Sequence, residues 1–355
     1  MRICYVLAYR APSYIRTRTL LAALNTLPAI ECHTAINTQA GLGRYRETLT
    51  RVAQIKKRFR PDAYILGFRG HELYWPLRSI VGRRPIIFDC MMSPSLALAE
   101  EGGYGLAGRV SSRIIAPIEK DILRGSDFVL TDTQAHVNVL IERYQLATDR
   151  IAAVPIGAVE TAPSAHSEST NSRLRVLFYG SFLPLHGLDV ILQAARKVQN
   201  LPMDFDFIGG NDQVEKKIHQ ALQRAGNLDC RVRRWVDFDD ILATELPNAD
   251  LCLGGPFGNT PQARRVITGK TSQALAQAVP TVVGAIEEGG SDFIDRHNCL
   301  VVSQGQPHAL AQALRWAYEH RDSLPALGAS GQRLYRNQLS LDVVAQRLVE
   351  VLGKF

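Results

Sequence analysis

Two stretches of the chain combine residue types and spacings suited to holding a phosphate. The first is Tyr179-Gly180-Ser181-Phe182-Leu183-Pro184-Leu185-His186-Gly187-Leu188-Asp189, where an apolar strand-like run meets a Gly-Ser turn and a second glycine opens a helical pattern. Gly180 lets the backbone approach a ligand closely, and the free amides of a helix start suit an anion. A strand-to-helix turn also uses glycine for geometry alone, so both readings of this segment stand. The second runs from Pro256 to Pro280, a polar loop carrying Arg264 and Arg265 that leads into a helical segment with Lys270 in its first turn and Gln273 three residues on. A cation at a helix start opposes the macrodipole, so Lys270 calls for an anion nearby or for solvent. The spacing of Lys270 and Gln273 fits a nucleoside diphosphate, and an exposed basic loop is the alternative.

In the first half, Phe68-Arg69-Gly70-His71-Glu72 follows a strand and brings a histidine and an acid to its carboxyl end. His71 is either a substrate contact or a hydrogen-bonded structural residue. Asp89, closing Ile86-Ile87-Phe88-Asp89, is either a site residue or a cap. The loop from Arg10 to Arg18 contains Tyr14 and three arginines, Arg10, Arg16 and Arg18, and suits an anionic acceptor such as a lipid phosphate. Helix 44–59 surrounds an apolar stripe of Tyr45, Leu49, Val52 and Phe59 with cations, which fits either a membrane-surface face or a core-facing stripe.

The elements that must position these residues follow from the periodicity. Short β-rich apolar runs alternate with segments of helical period, which predicts an α/β chain with parallel sheets covered by helices on both faces. Strands are expected at Ile3–Ala8, Ala63–Gly67, Pro85–Cys90, Phe128–Thr131 and near Ile151–Pro155. A second set is expected at Arg175–Tyr179, Asp204–Ile208, Arg231–Trp235, Leu251–Leu253, Pro280–Val283 and Leu300–Val302. Between the sets, the Ser- and Thr-rich run Ala158–Arg173 has almost nothing to bury. The domains therefore read as 1–160, a linker over 161–173, and 174–355 ending in two helices that can pack back on the body. In open parallel sheets ligands lie beyond the carboxyl ends of the strands, where the segments after Tyr179 and Leu253, His71 and Asp89 fall.

With 355 residues, 46% hydrophobic and 21% charged, the chain is neither disordered nor fibrous. No apolar run nears the roughly 18 residues of a membrane span, and Met1–Tyr9 is too short for a signal-peptide core, so a cytoplasmic protein is expected. The six cysteines, never closer than 22 positions, lack zinc spacing and read as buried thiols. The net charge of +7 resides in the first half. That asymmetry fits an anionic partner such as a phosphate-bearing substrate or an acidic lipid surface, or else solvated helix faces. Nucleic acid is not expected, because no basic module interleaved with aromatics is present.

Together the segments resemble the GT-B glycosyltransferases of the family-4 type (glycosyl transferases group 1) over nearly the whole chain. VLFYGSFLPLHGLDVILQAA resembles the strand, glycine turn and helix that meet the donor diphosphate, and ARRVITGKTSQALAQAVPTVVG resembles the donor-site helix and next strand. GSDFIDRHNCLVVSQGQPHALAQALRWA resembles the end of that domain, with Asp292 at its acidic position. IIFDCMMS, APIEKDILRGSDFVLTDT and VPIGA resemble successive parts of the first domain. The resemblance implies two Rossmann-like doubly wound domains facing a central cleft. The family's paired glutamates, eight positions apart, fall here on Arg265 and Gln273; the usual Arg and Lys of the glycine-turn region are also absent.

The resemblance implies a nucleotide-sugar-dependent transferase that retains anomeric configuration and needs no cofactor or metal. Lys270, Arg265 and His71 are its expected catalytic groups. Gly180, Ser181, His186, Arg264, Lys270, Gln273 and Asp292 are expected at the donor, with Gln273 on the ribose. Tyr14, Arg16, Arg18 and Asp89 are expected at a glycan or lipid-linked acceptor, in polysaccharide biosynthesis at the inner face of a membrane. The alternatives are a non-catalytic or weakly active nucleotide- or partner-binding GT-B protein, left open by the missing glutamates, and a sugar-nucleotide epimerase, which would need paired acids and a base.

Overall fold

The computed structural model describes residues 1–100, 105–159, 173–222, 229–286 and 292–355. Of the expected linker over 161–173, all but Arg173 lies outside these residues. The chain forms two compact units, Met1–Gly157 with Leu341–Phe355, and Ala158–Ser340.

In the first unit, β1 (Arg2–Leu7), β2 (Glu31–Ile36), β3 (Ala63–Leu66), β4 (Ile86–Asp89), β5 (Phe128–Thr131) and β6 (Ile151–Ala153) form one parallel sheet in the order β2-β1-β3-β4-β5-β6. Every residue of β3, β4 and β5 is buried, which is why these segments read as unbroken apolar runs. β2 has no counterpart among the expected strands. It is one of the two edge strands, and its sequence Glu-Cys-His-Thr-Ala-Ile exposes Glu31, His33 and Thr34, so it carries little apolar signal.

One face of this sheet packs Val6, Tyr64, Leu66 and Phe88 against Val52 and Leu77, with Tyr45, Leu49 and Ile55 at its margin. The stripe of helix Gly43–Phe59 is therefore core-facing, and Phe59 stacks on His33 with ring centroids 3.9 Å apart. That removes the membrane-face reading of this helix. The other face packs Ile3, Tyr5, Ile65 and Ile87 against Leu20 and Leu24 of helix Ile15–Thr26 and against Val344, Leu348 and Val351 of the terminal helix Leu341–Leu352. The terminal helix thus belongs to the first unit and not to a domain running unbroken over 174–355. Its apolar side joins helix Ile15–Thr26 in covering this sheet face, whereas the preceding helix, Leu324–Gln338, stays with the second unit.

The second unit holds β7 (Leu174–Tyr179), β8 (Met203–Ile208), β9 (Asp229–Arg233), β10 (Leu251–Gly255), β11 (Thr281–Gly284) and β12 (Leu300–Val302). They are parallel in the order β12-β11-β10-β7-β8-β9. All six expected strands are present here, with β9 starting two residues earlier than expected. The strand order reverses at β7, which pairs with β8 on one side and β10 on the other. The crevice at the carboxyl ends of β7 and β10 is thus the switch point where such sheets take ligands.

Candidate functional site

Both motif segments of the second unit converge on that switch point. The segment after β7 and the segment after β10 are pinned backbone to backbone, the Gly258 amide donating to the Leu185 carbonyl at 2.9 Å. A Cβ on Gly187, whose φ is +69°, would sit 2.5 Å from the Gly258 nitrogen, and one on Gly258 would sit 2.3 Å from the Pro184 oxygen. Only glycine at both positions permits this approach. On the β10 side, Thr268 caps helix Gly269–Ala276, accepting from the Thr271 amide and donating to the Gly254 carbonyl at 2.7 Å.

That cap sets Lys270 in the first turn, where it is buried against the face of Phe178, its Nζ 5.1 Å from the ring centroid. Gly180, at φ +143°, leaves the space beside the amine bare; a Cβ there would lie 3.3 Å from Lys270 Nζ. Burial lowers the Lys270 pKa to about 8. Among the described residues no carboxylate forms an ion pair with it. His186 borders the same space, 3.5 Å from where a Gly180 Cβ would stand, and is buried, its Nδ1 accepting from the Leu183 amide at 3.2 Å. Burial, and then the Lys270 charge, push its pKa well below the usual imidazole range. His186 is therefore neutral near pH 7, with its proton on Nε2, and offers an N–H donor. Gly180, His186 and Lys270 are thus brought together; Ser181 follows on the same turn and is exposed.

Other expected donor residues do not join them in this way. Gln273 is fully buried and its amide is spent on one backbone residue, Oε1 accepting from the Val159 amide at 3.0 Å and Nε2 donating to the Val159 carbonyl at 2.9 Å. It anchors the chain entering the second unit, which overturns its expected place on a ribose. Arg264 is exposed, reaching the Asn259 side chain at 3.3 Å, and Arg265 is half-buried. Asp292 is exposed, and its carbonyl accepts from Asn298 at 2.7 Å.

In the first unit the strand order turns at β1, flanked by β2 and β3. There Phe68 lies between Tyr9, edge-on at 5.3 Å, and the half-exposed Tyr14, stacked at 5.4 Å. Arg16 is not an acceptor residue. It is fully buried, with Nε and Nη2 on the Asp89 carboxylate at 2.8–3.1 Å and Nη1 on the carbonyls of Val154 and Pro155. Burial opposes its charge, and Asp89 overrides burial and holds the guanidinium charged. The same pair removes Asp89 from the acceptor, because its oxygens serve Arg16. Arg18, two residues on in the same turn of that helix, is half-buried.

His71 sits in the short 3-10 helix Gly70–Leu73 that follows β3, edge-on to Phe88, with Nε2 3.5 Å from Glu119 Oε1. Glu119, from helix Gly105–Gly125, is buried; burial raises its pKa, but His71, Ser93 and Tyr144 together hold it below the usual carboxylate value. The sequence offered no sign of this partner, 48 positions away. A second histidine–carboxylate pair, His136 with Asp132, lies after β5; the i,i+4 spacing was its only signal. Among the described residues one group could hold a metal: His71, Cys90 and Glu119, whose ligand atoms lie within 4.8 Å of one another. Burial pushes the Cys90 thiol well above its usual pKa, so without an ion it stands protonated beside the histidine–carboxylate pair.

Residues 173–320 match the glycosyl transferases group 1 family. No curated protein matches the chain by sequence. In structure it is similar to Anabaena HepE in complex with UDP and glucose, with a TM-score of 0.71, 14% identity and all of both chains covered. It is also similar to sucrose-phosphate synthase from Thermosynechococcus elongatus, with a TM-score of 0.75, 14% identity and 100% and 98% of the two chains covered. A third similar structure is the apo form of the lipopolysaccharide outer core galactosyltransferase WaaB, with a TM-score of 0.62 and 11% identity over both whole chains. The chain therefore has the GT-B glycosyltransferase fold, and its residues 173–320 are a group 1 glycosyltransferase domain.

Proposed function

We propose that this protein transfers a sugar from a nucleotide-sugar, of which a uridine diphosphate sugar is the first to test, to a glycan or lipid-linked acceptor, with retention of anomeric configuration. The observation that carries this reading is the buried Lys270 ammonium at the switch point of the second unit, beside the bare backbone of Gly180 and the neutral His186. An ammonium excluded from water and without a carboxylate partner among the described residues suits a diphosphate. In the transfer, charge builds on the leaving diphosphate oxygens as the anomeric carbon becomes oxocarbenium-like. Lys270 and the Nε2–H of His186 supply positive potential and a hydrogen bond there, with Arg264 and Arg265 at the more exposed rim, so the step uses no metal on the diphosphate. In a retaining transfer the leaving phosphate takes the acceptor proton. The similar HepE structures, with UDP or UDP-glucose, support uridine as the base. The basic first half supports an anionic acceptor, and we place the work on the cytoplasmic side of a membrane, in polysaccharide biosynthesis.

Calorimetric titration with UDP, GDP, ADP and their sugar conjugates tests the donor reading. A sugar nucleotide should bind, and Lys270→Met should weaken it by about ten- to a hundredfold, the range of a charge-assisted hydrogen bond. Unchanged affinity in that variant removes Lys270 from the diphosphate. The diversion of Gln273 to Val159 supports a second reading, a nucleotide-binding protein without transfer; nucleotide binding with no hydrolysis or transfer of any sugar conjugate would favour it.

A further inference from the structure

The helix Gly105–Gly125 is amphipathic in the reverse of the usual sense. Its buried side is small and polar: Gly108, Ser112 and Glu119 face inward above Ile122 and Leu123. Ser112 Oγ donates to the Ser95 carbonyl at 2.7 Å, and Glu119 accepts from the Ser95 amide and the Tyr144 hydroxyl. Its outer side is aliphatic. Leu106, Val110, Ile114 and Ile118 are 78%, 49%, 65% and 54% exposed. At 100° per residue, four positions spaced by four span about 120° of the helix surface, with Pro117 among them and Asp121 at the carboxyl-terminal end. Arg109 and Arg113, both exposed, and Lys120 fall together along one margin of that arc.

A helix that covered the sheet with its apolar side would turn these four residues inward. Here hydrogen bonds fix the polar side to the body, so the aliphatic row is committed to the surface. A continuous exposed apolar row marks a contact with something else, and cations along one margin select the sign of its charge. We propose that this helix lies on an anionic bilayer surface, its aliphatic row at the level of the acyl-chain boundary and Arg109, Arg113 and Lys120 among the phosphate headgroups. The proposal rests on the reading of a membrane-borne acceptor and gives it a location: this helix, and not Gly43–Phe59, whose stripe is core-facing.

Sedimentation of the full chain with vesicles tests it. Binding is expected to vesicles of phosphatidylcholine with phosphatidylglycerol and not to phosphatidylcholine alone, and it should weaken as salt rises. Leu106→Ser with Ile114→Ser should lower binding by about tenfold or more, since each swap removes several buried carbons. Arg109→Gln with Arg113→Gln should lower it and flatten the salt dependence. Val349→Ser, at another exposed aliphatic position on the terminal helix, should leave it unchanged. All four positions of the two double variants are exposed, so unfolding midpoints should match the wild type. Absence of binding to the anionic vesicles, or equal binding by the Leu106/Ile114 variant, overturns the proposal. So does a wild-type dimer that this variant converts to monomer in sedimentation velocity, which would assign the row to a second copy. Nucleotide titration of the same preparations separates the two readings: vesicle binding can fail while UDP binding persists, and the reverse outcome overturns the donor reading alone.

Discussion

Lys270 and Arg16 show how the same physical cost, a cation taken out of water, is met in two ways. Arg16 is compensated inside the protein by Asp89 and by backbone carbonyls. Arg16→Ala should therefore cost about 3–5 kcal/mol in denaturant unfolding, because it strands a buried carboxylate. Acceptor use should suffer only as folding does. Lys270 has no such partner among the described residues, and its ammonium form is held against a burial cost. The folded-state pKa of about 8 lies below the ordinary lysine value of 10.5. Between these values the unfolded chain binds more protons, so this residue's contribution to stability rises with pH through that window. Lys270→Met, which keeps the apolar stem, should raise the stability of the free protein at pH 7 by about 1–3 kcal/mol while weakening nucleotide binding. Ligand affinity has the opposite pH sign. Above about pH 8 the amine must first take up a proton, so UDP affinity should fall by up to about tenfold per pH unit, and the Met variant should lose this slope. Titrations at pH 7, 8 and 9 read both effects.

At the scale of elements, the donor site depends on two segments held at backbone contact. Gly187→Ala adds a Cβ 2.5 Å from the Gly258 nitrogen at a φ of +69°. Gly82→Ala, at a φ of +70° and a ψ of −125° with nothing within 4 Å, carries backbone strain without a clash. The Gly82 variant should lose about 1–3 kcal/mol and keep its nucleotide affinity. The Gly187 variant should lose more and should also lose nucleotide affinity, because the segments bearing His186 and Lys270 must part. Comparison of unfolding midpoints and UDP titrations for the two proteins separates strain from displacement. The alternation of strands and helices was legible at every strand but one, since buried parallel strands are unbroken apolar runs. Edge strand β2 was not, because an edge needs no apolar face. Which way helix Gly105–Gly125 turns its aliphatic side was also not legible. Periodicity marks an apolar side but carries no information on what it meets.

At the scale of the whole molecule, the terminal helix returns to the first unit and fills a sheet face with Val344, Leu348 and Val351. Leu348→Ala should destabilise the protein by about 2–4 kcal/mol, a buried large-to-small loss, and should lower the unfolding transition of the first unit. A single transition shifted in the second unit alone would contradict this assignment. Fold class, the approximate order of strands and the two phosphate-suited segments were determined by the sequence itself, because hydrophobic period and glycine placement are local properties. The partners of its polar residues were decided only by tertiary structure. Arg16 and Asp89 are 73 positions apart, and Gln273 and Val159 are 114 apart. Each reads locally as free to serve a ligand, but a polar side chain taken from water bonds to whatever the packed fold brings within reach. Burial also lowers Lys270 into the titratable range, and it comes from the Phe178 face and the closely packed segments around it, which no local pattern contains.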